Sequence, residues 1–181
     1  GIRIESSLSD FFHSITGQIQ TLVKEKRAVI VFFQDNLHLK EFTDSAFYRQ
    51  LGRQKKLLTE ELSTTDKEFI IKKAATKGNV TLSTAVFGRG TDFFCKDETV
   101  QRQGGVHIIQ TFLSEEQSEE IQIQGRTARQ GKKGSYQMIL LDSHLQDQYD
   151  LKIGWKDKVP KEDWYDCLSS AREKKHEGRC D

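Results

Sequence analysis

The chain is short of most features that would give an immediate classification. Its 181 residues include one proline, Pro160, and three cysteines, Cys95, Cys167 and Cys180, which lie far apart. No Cys-x-x-Cys pair or histidine stands at metal-ligand spacing, so neither a zinc site nor a disulfide framework is expected. Isolated thiols in odd number fit a reducing, cytoplasmic compartment. Charge of one sign is also lacking. Lys and Arg total 28 against 27 Asp and Glu, a net charge of +1, so no global field gathers nucleic acid or anionic lipid. No apolar run approaches the roughly 20 residues that span a bilayer, and Gly1-Ile-Arg-Ile-Glu-Ser-Ser lacks the apolar segment of a signal peptide. The first residue is glycine, and the expectation is a piece of something longer. A Walker A loop is missing too. Gly125 to Gly131 followed by Lys132-Lys133 has one residue too many, and no Ser or Thr follows the lysine. Nor does an Asp-Glu pair end a strand where magnesium would bind. By itself the chain is expected not to hydrolyse ATP.

What is present is an alternation of helical and strand-like periods. Residues 8–26 place Phe11, Phe12, Ile15, Ile19, Leu22 and Val23 on one helical stripe. Residues 28–33 are continuously apolar, as in a strand buried on both faces of a parallel sheet. Asp35-Asn36 should cap a helix carrying Leu39, Phe42, Phe47 and Leu51. A short strand is read at 56–58, and a helix capped by Thr64-Thr65-Asp66 runs through Ala75 to a stop at Gly78. Strands follow at 79–83, 106–111 and 135–141, and Ser114-Glu-Glu-Gln117 fits a capping box. Strands alternating with helices predict an α/β fold with a parallel sheet flanked by helices. Residues 1–141 are read as that domain. Residues 142–181 are read as a charged helical tail in which Trp155 and Trp164 serve as docking contacts.

Two arginine-glycine clusters carry the chemistry. The first is Gly88-Arg89-Gly90-Thr91-Asp92, after the strand ending near Thr84. The second is Gln122-Ile-Gln-Gly125-Arg126-Thr-Ala-Arg129-Gln130-Gly131. A guanidinium forks onto phosphate oxygens and glycine lets the backbone approach, so the pairing points to phosphate. In parallel α/β sheets ligands sit beyond the carboxyl ends of the strands, where both clusters are expected. At helical spacing Arg126 and Arg129 would share a face and could clamp a γ-phosphate. Arginines so placed accelerate phosphoryl transfer by about 10³–10⁵ in GTPases. Asp92 could accept from a ribose or hold Arg89. The competing reading is a solvated basic turn of Arg126, Arg129, Lys132 and Lys133 paired with Glu115, Glu116, Glu119 and Glu120. His107 reads as a satisfied core histidine, and Gly104-Gly105 as a requirement of backbone geometry.

These strings, with Gly104-Gly-Val-His107 between them, resemble the second nucleotide-binding domain of the SecA family of ATP-driven preprotein translocase motors, relatives of superfamily 2 helicases. The clusters correspond to helicase motifs V and VI, and the likeness runs over roughly residues 8–141. The resemblance implies a RecA-like domain that closes on ATP and Mg held mainly by an N-terminal RecA-like domain of the same polypeptide. It implies Arg126 and Arg129 as γ-phosphate arginines, Gln122 as nucleotide sensor, and Gly88, Arg89, Gly90 and Asp92 as lining of the nucleotide site. A polypeptide is the implied substrate, and peripheral membrane association would run through a partner. The chain departs from the family at Thr111-Phe112-Leu113, at the acidic helix of Glu115 to Glu120, at Gln124 and at Ala128. Half of an RNA or DNA helicase, with nucleic acid as partner, and a degenerate motor domain kept as a scaffold stand as alternatives.

Overall fold

The computed structural model describes residues 1–126 and 131–180. Among them are β1 (Ile2–Glu5), α1 (Leu8–Lys24), β2 (Val29–Phe33), α2 (Asn36–Thr43), α3 (Ala46–Arg49), β3 (Lys55–Leu57), α4 (Thr64–Ala74) and β4 (Val80–Thr84). Then come α5 (Ala85–Gly90), α6 (Glu98–Arg102), β5 (Val106–Gln110), α7 (Gln117–Gln124), β6 (Gly134–Leu141), α8 (Asp142–Tyr149), α9 (Trp155–Lys158) and α10 (Trp164–Cys180). The strands form one six-stranded parallel sheet in the order β1-β6-β5-β2-β4-β3.

Burial on both faces explains the unbroken apolar run of β2. Val29, Val31 and Phe33 face a core shared with Phe11, Phe12, Ile15 and Ile19 of α1 and with Phe42 of α2. Ile30 and Phe32 face the opposite core, made with Ala74, Phe87, Val100, Ile108 and Ile123. A third cluster joins Ile4, Met138 and Leu140 at the β1–β6 edge to Leu145, Trp155 and Leu168. Residues 142–180 thus dock on their own sheet. Trp155 is buried there, its Nε1 donating to Asp142 Oδ1 at 2.8 Å.

Several expectations are corrected locally. The helix expected after Asp35 divides into α2 and α3, because Ser45 Oγ accepts from the Tyr48 amide and starts a new helix. The cap of α4 is Ser63, whose Oγ accepts from the Asp66 amide, and not the Thr64-Thr65-Asp66 run. The capping box at Ser114 does not form. Ser114 is buried and accepts from Gln110 Nε2, so α7 begins only at Gln117. Strand β1 is absent from the sequence reading. Its Ile2 and Ile4 alternate with polar residues over just four positions.

Gly104 and Gly105 do serve backbone geometry, with φ of 117° and 85°. Arg27 donates to both carbonyls, at 3.1 and 2.8 Å, and also to Ser135 Oγ. His107 is buried beside them, its Nδ1 2.7 Å from Ser135 Oγ and its Nε2 3.0 Å from Gln18 Oε1. Burial, reinforced by the charge of Arg27, pushes His107 down to about 4. An unfolded histidine titrates near 6.5. Between these values the unfolded chain binds the proton and the folded one does not, so stability is present above about 6.5 and falls as pH drops towards 4. The expected loss from pH 7 to pH 5 is about 2 kcal/mol. Urea midpoints at the two pH values measure it, and His107→Gln should flatten the dependence. His144, also lowered chiefly by burial, adds a contribution of the same sign.

Candidate functional site

The described parts of the two clusters come together. The first begins within α5, which continues directly from β4. Helix α7 returns from the β5 exit towards the entry of β6, where Gly134 pairs with Val106. The clusters therefore meet where α5, which starts at the carboxyl end of β4, packs against α7, with Gly88 beside Phe32 and Ile123.

Gly88, Arg89 and Arg126 make the junction among the described residues. A Cβ added to Gly88 would stand 2.7 Å from Ile123 Cγ1, so glycine here lets α5 approach α7 closely. Arg89 Nη1 pairs with Glu119 Oε2 at 2.9 Å, across α5 and α7. Arg126, just past the Gly125 cap of α7, donates from Nε to the Gln122 carbonyl at 2.8 Å and from Nη1 to the Thr91 carbonyl at 3.2 Å. The same Nη1 lies 3.6 Å from Asp92 Oδ1. One guanidinium thus ties the middle of the second cluster to the end of the first.

Exposure separates the roles open to these residues. The side chain of Arg126 is only 7% exposed, whereas that of Asp92 is 46% exposed. Arg89, at 49%, and Gln122 also face outward, and Gly90 is exposed beside them. Arg126 lies two residues past Gln124, the last residue of α7. Arg129 lies outside the described residues.

Three of the acidic residues from Glu115 to Glu120 have basic partners among the described residues. Glu119 holds Arg89, Glu120 is buried against Arg172 of α10, and Glu115 lies 3.3 Å from Lys175. The exposed rim of Arg89, Gly90, Asp92 and Gln122 offers a cation, a carboxylate, an amide and bare backbone. These groups fit phosphate oxygens and ribose hydroxyls presented from a facing surface. Arg126 as placed fits a brace beneath that rim.

No family model matches the sequence. Solved structures share the fold. The C-terminal domain of the DEAD-box protein Dbp5 has a TM-score of 0.54 at 18% identity, over 95% of this chain and 94% of that one. Mss116p DEAD-box helicase domain 2, bound to an RNA duplex, has a TM-score of 0.52 at 19% identity, over 84% and 60%. The architecture is therefore that of the RecA-like C-terminal domain of helicases.

Sequence likeness narrows the class. Protein translocase subunit SecA of Porphyromonas gingivalis is 33% identical over 144 residues, 79% of this chain and 13% of that protein. SecA 2 of Chlorobium chlorochromatii is 36% identical over 110 residues, 59% of this chain and 16% of that protein. The chain is a divergent second motor domain of SecA type, and it spans only about an eighth to a sixth of the length of these relatives.

Proposed function

We propose that this chain is the closing half of an ATP-driven motor that moves or remodels polypeptides, supplying the arginine side of a nucleotide site shared with an N-terminal RecA-like domain. The observation that carries this reading is the Arg126 junction, which joins both clusters into one rim with Arg89, Asp92 and Gln122 facing outward. Bound ATP with Mg, held mainly by the other domain, supplies the free energy of phosphoryl transfer. Asp92 accepts from a ribose hydroxyl, Gln122 reports on the nucleotide, and Gly88 and Gly90 keep the backbone close to it. Arg129 neutralises developing charge on the phosphate as the domains close. Arg126 holds the rim in register, and reaches phosphate itself only by exchanging the Thr91 carbonyl for it.

The relatives, protein translocase subunits, support protein translocation, and the structural neighbours include Dbp5 bound to RNA and ADP BeF3. Polypeptide is the substrate class we assign, and a cytoplasmic setting with membrane contact through a partner fits it. No helix among the described residues is long and apolar enough to cross a membrane. The test is ATP turnover by the chain joined to its upstream motor domain, with and without unfolded polypeptide or single-stranded RNA. Turnover raised by polypeptide is the expected result. Stimulation by RNA alone, falling steeply with salt, would make the protein a helicase. No turnover beside a folded upstream domain would leave a scaffold.

A further inference from the structure

The acidic residues of α7 have an internal role that reaches beyond the nucleotide rim. Glu120 and Arg172 form an ion pair at 3.0 Å with side chains 4% and 5% exposed. Glu120 Oε2 also accepts from the Tyr165 hydroxyl at 2.5 Å. Arg172 donates from Nη1 to the Ser114 carbonyl at 3.1 Å and from Nη2 to the Tyr165 hydroxyl at 3.4 Å. Helix α10 therefore grips α7 at Glu120 and the loop before it at Ser114. Lys175 extends the grip to Glu115 on the outside.

A neighbouring surface of the same helix holds the first cluster. Glu119, adjacent in sequence to Glu120, binds Arg89, and Ile123 receives Gly88. Helix α7 is only eight residues long and is held at Glu120 by α10 and at Glu119 and Ile123 by α5. A buried ion pair contributes little net stability compared with apolar residues of the same volume, because both charges lose their water. What it does supply is one geometry. Removing either partner strands a charge, so the pair permits one register of α10 on α7 and few others.

We infer that Arg172 is a positioning residue: through Glu120 it sets the placement of α7, and through α7 the placement of Gly88 to Asp92 at the nucleotide rim. Helix α10 is then a relay by which a load on the C-terminal segment alters the nucleotide side, and the reverse. This rests on the motor reading above, but one of its two readouts does not.

The first readout is hydrogen exchange in the chain as it stands. Arg172→Met should accelerate exchange about tenfold at residues 117–126 and also at 85–92, which the Arg172 contacts do not include. Residues 55–74, on the far side of the sheet order, should be unchanged. The second readout is ATP turnover in the longer protein, where kcat should fall about tenfold with KM for ATP unchanged. Glu120→Leu combined with Arg172→Met removes the stranded charge and refills the space. It should bring both readouts back to within about twofold. Should Arg172→Met alone fail to fold, Arg172→Lys, which keeps the charge but not the fork, serves the same comparison. Faster exchange confined to residues 164–176, with 85–92 unmoved, would mean that the pair merely pins α10, and the inference would be wrong. A native protein that shows no turnover at all would defeat the motor reading, while the exchange experiment would still decide the relay.

Discussion

Gly105→Ala is expected to destabilise the chain by more than about 3 kcal/mol, enough to lower its melting temperature by about 6–12 °C for a domain of this size. The new Cβ would lie 1.9 Å from the Lys133 carbonyl oxygen and 2.3 Å from the carbon behind it. Both obstacles are backbone, and neither can retreat easily. Lys133 is held on both sides by the Gln101 side chain, and the next residue, Gly134, is already in register with Val106. The glycine itself is fixed by Arg27, which bonds its carbonyl, and by a φ of 85° that a side chain would make costly. Gly17 provides the control. A Cβ there meets nothing within 4 Å in the interior of α1, so Gly17→Ala should raise the melting temperature slightly, by about 0.5–1 kcal/mol of stability. Thermal melts of the two variants settle the matter, and a shift below about 2 °C for Gly105→Ala would show that the β5–β6 entry yields more than this packing allows.

Arg126→Lys should reduce ATP turnover in the longer protein by about 10²-fold or more. The reason differs from that for an arginine lying against phosphate. Lysine keeps the charge but cannot hold the Gln122 and Thr91 carbonyls together while facing Asp92. The two clusters would drift apart where Arg126 meets Thr91 and Asp92, and the rim would lose its register. Leaving these half-buried carbonyls without their donor should also lower the stability of the chain alone, by about 1 kcal/mol. Arg129→Lys gives the contrast. Its position lies outside the described residues, and the motor reading expects it to lose turnover with no change in melting. Both losses together at Arg126, and turnover alone at Arg129, would separate a brace from a phosphate ligand. If Arg126→Lys melts earlier yet turns over ATP at nearly the native rate, Arg126 is structural only.

The central strands were legible because burial on two faces leaves a run such as Val29 to Phe33 with no polar interruption. Helix α1 was legible because one stripe of Phe11, Ile15 and Ile19 carries its packing. The arginine clusters stood out because glycine and arginine rarely share a position without a reason. What escaped depends on partners distant in the chain. That Gly88-Arg-Gly ends a helix, with Gly88 seated against Ile123, is not visible locally. The acidic run of α7 looked like reversed surface charge, and nothing local announces that Glu120 is buried on an arginine 52 positions away. The inward turn of Arg126 is hidden for the same reason, since its acceptor at Thr91 is 35 positions earlier.

The order of the strands has a consequence for how the chain comes into being. Strand β1, nearest the amino end, has β6 as its neighbour in the sheet, with Ile2 opposite Met138. A chain emerging from the ribosome amino end first therefore releases Ile2 and Ile4 long before their place exists. Strands β2 and β4 can pair early, and β5 can join them, but the growing sheet ends at an open β5 edge until residues 134–141 appear. Among the strands described, the first made is the last to be seated, and during that interval both it and the β5 edge are open to pairing with other chains.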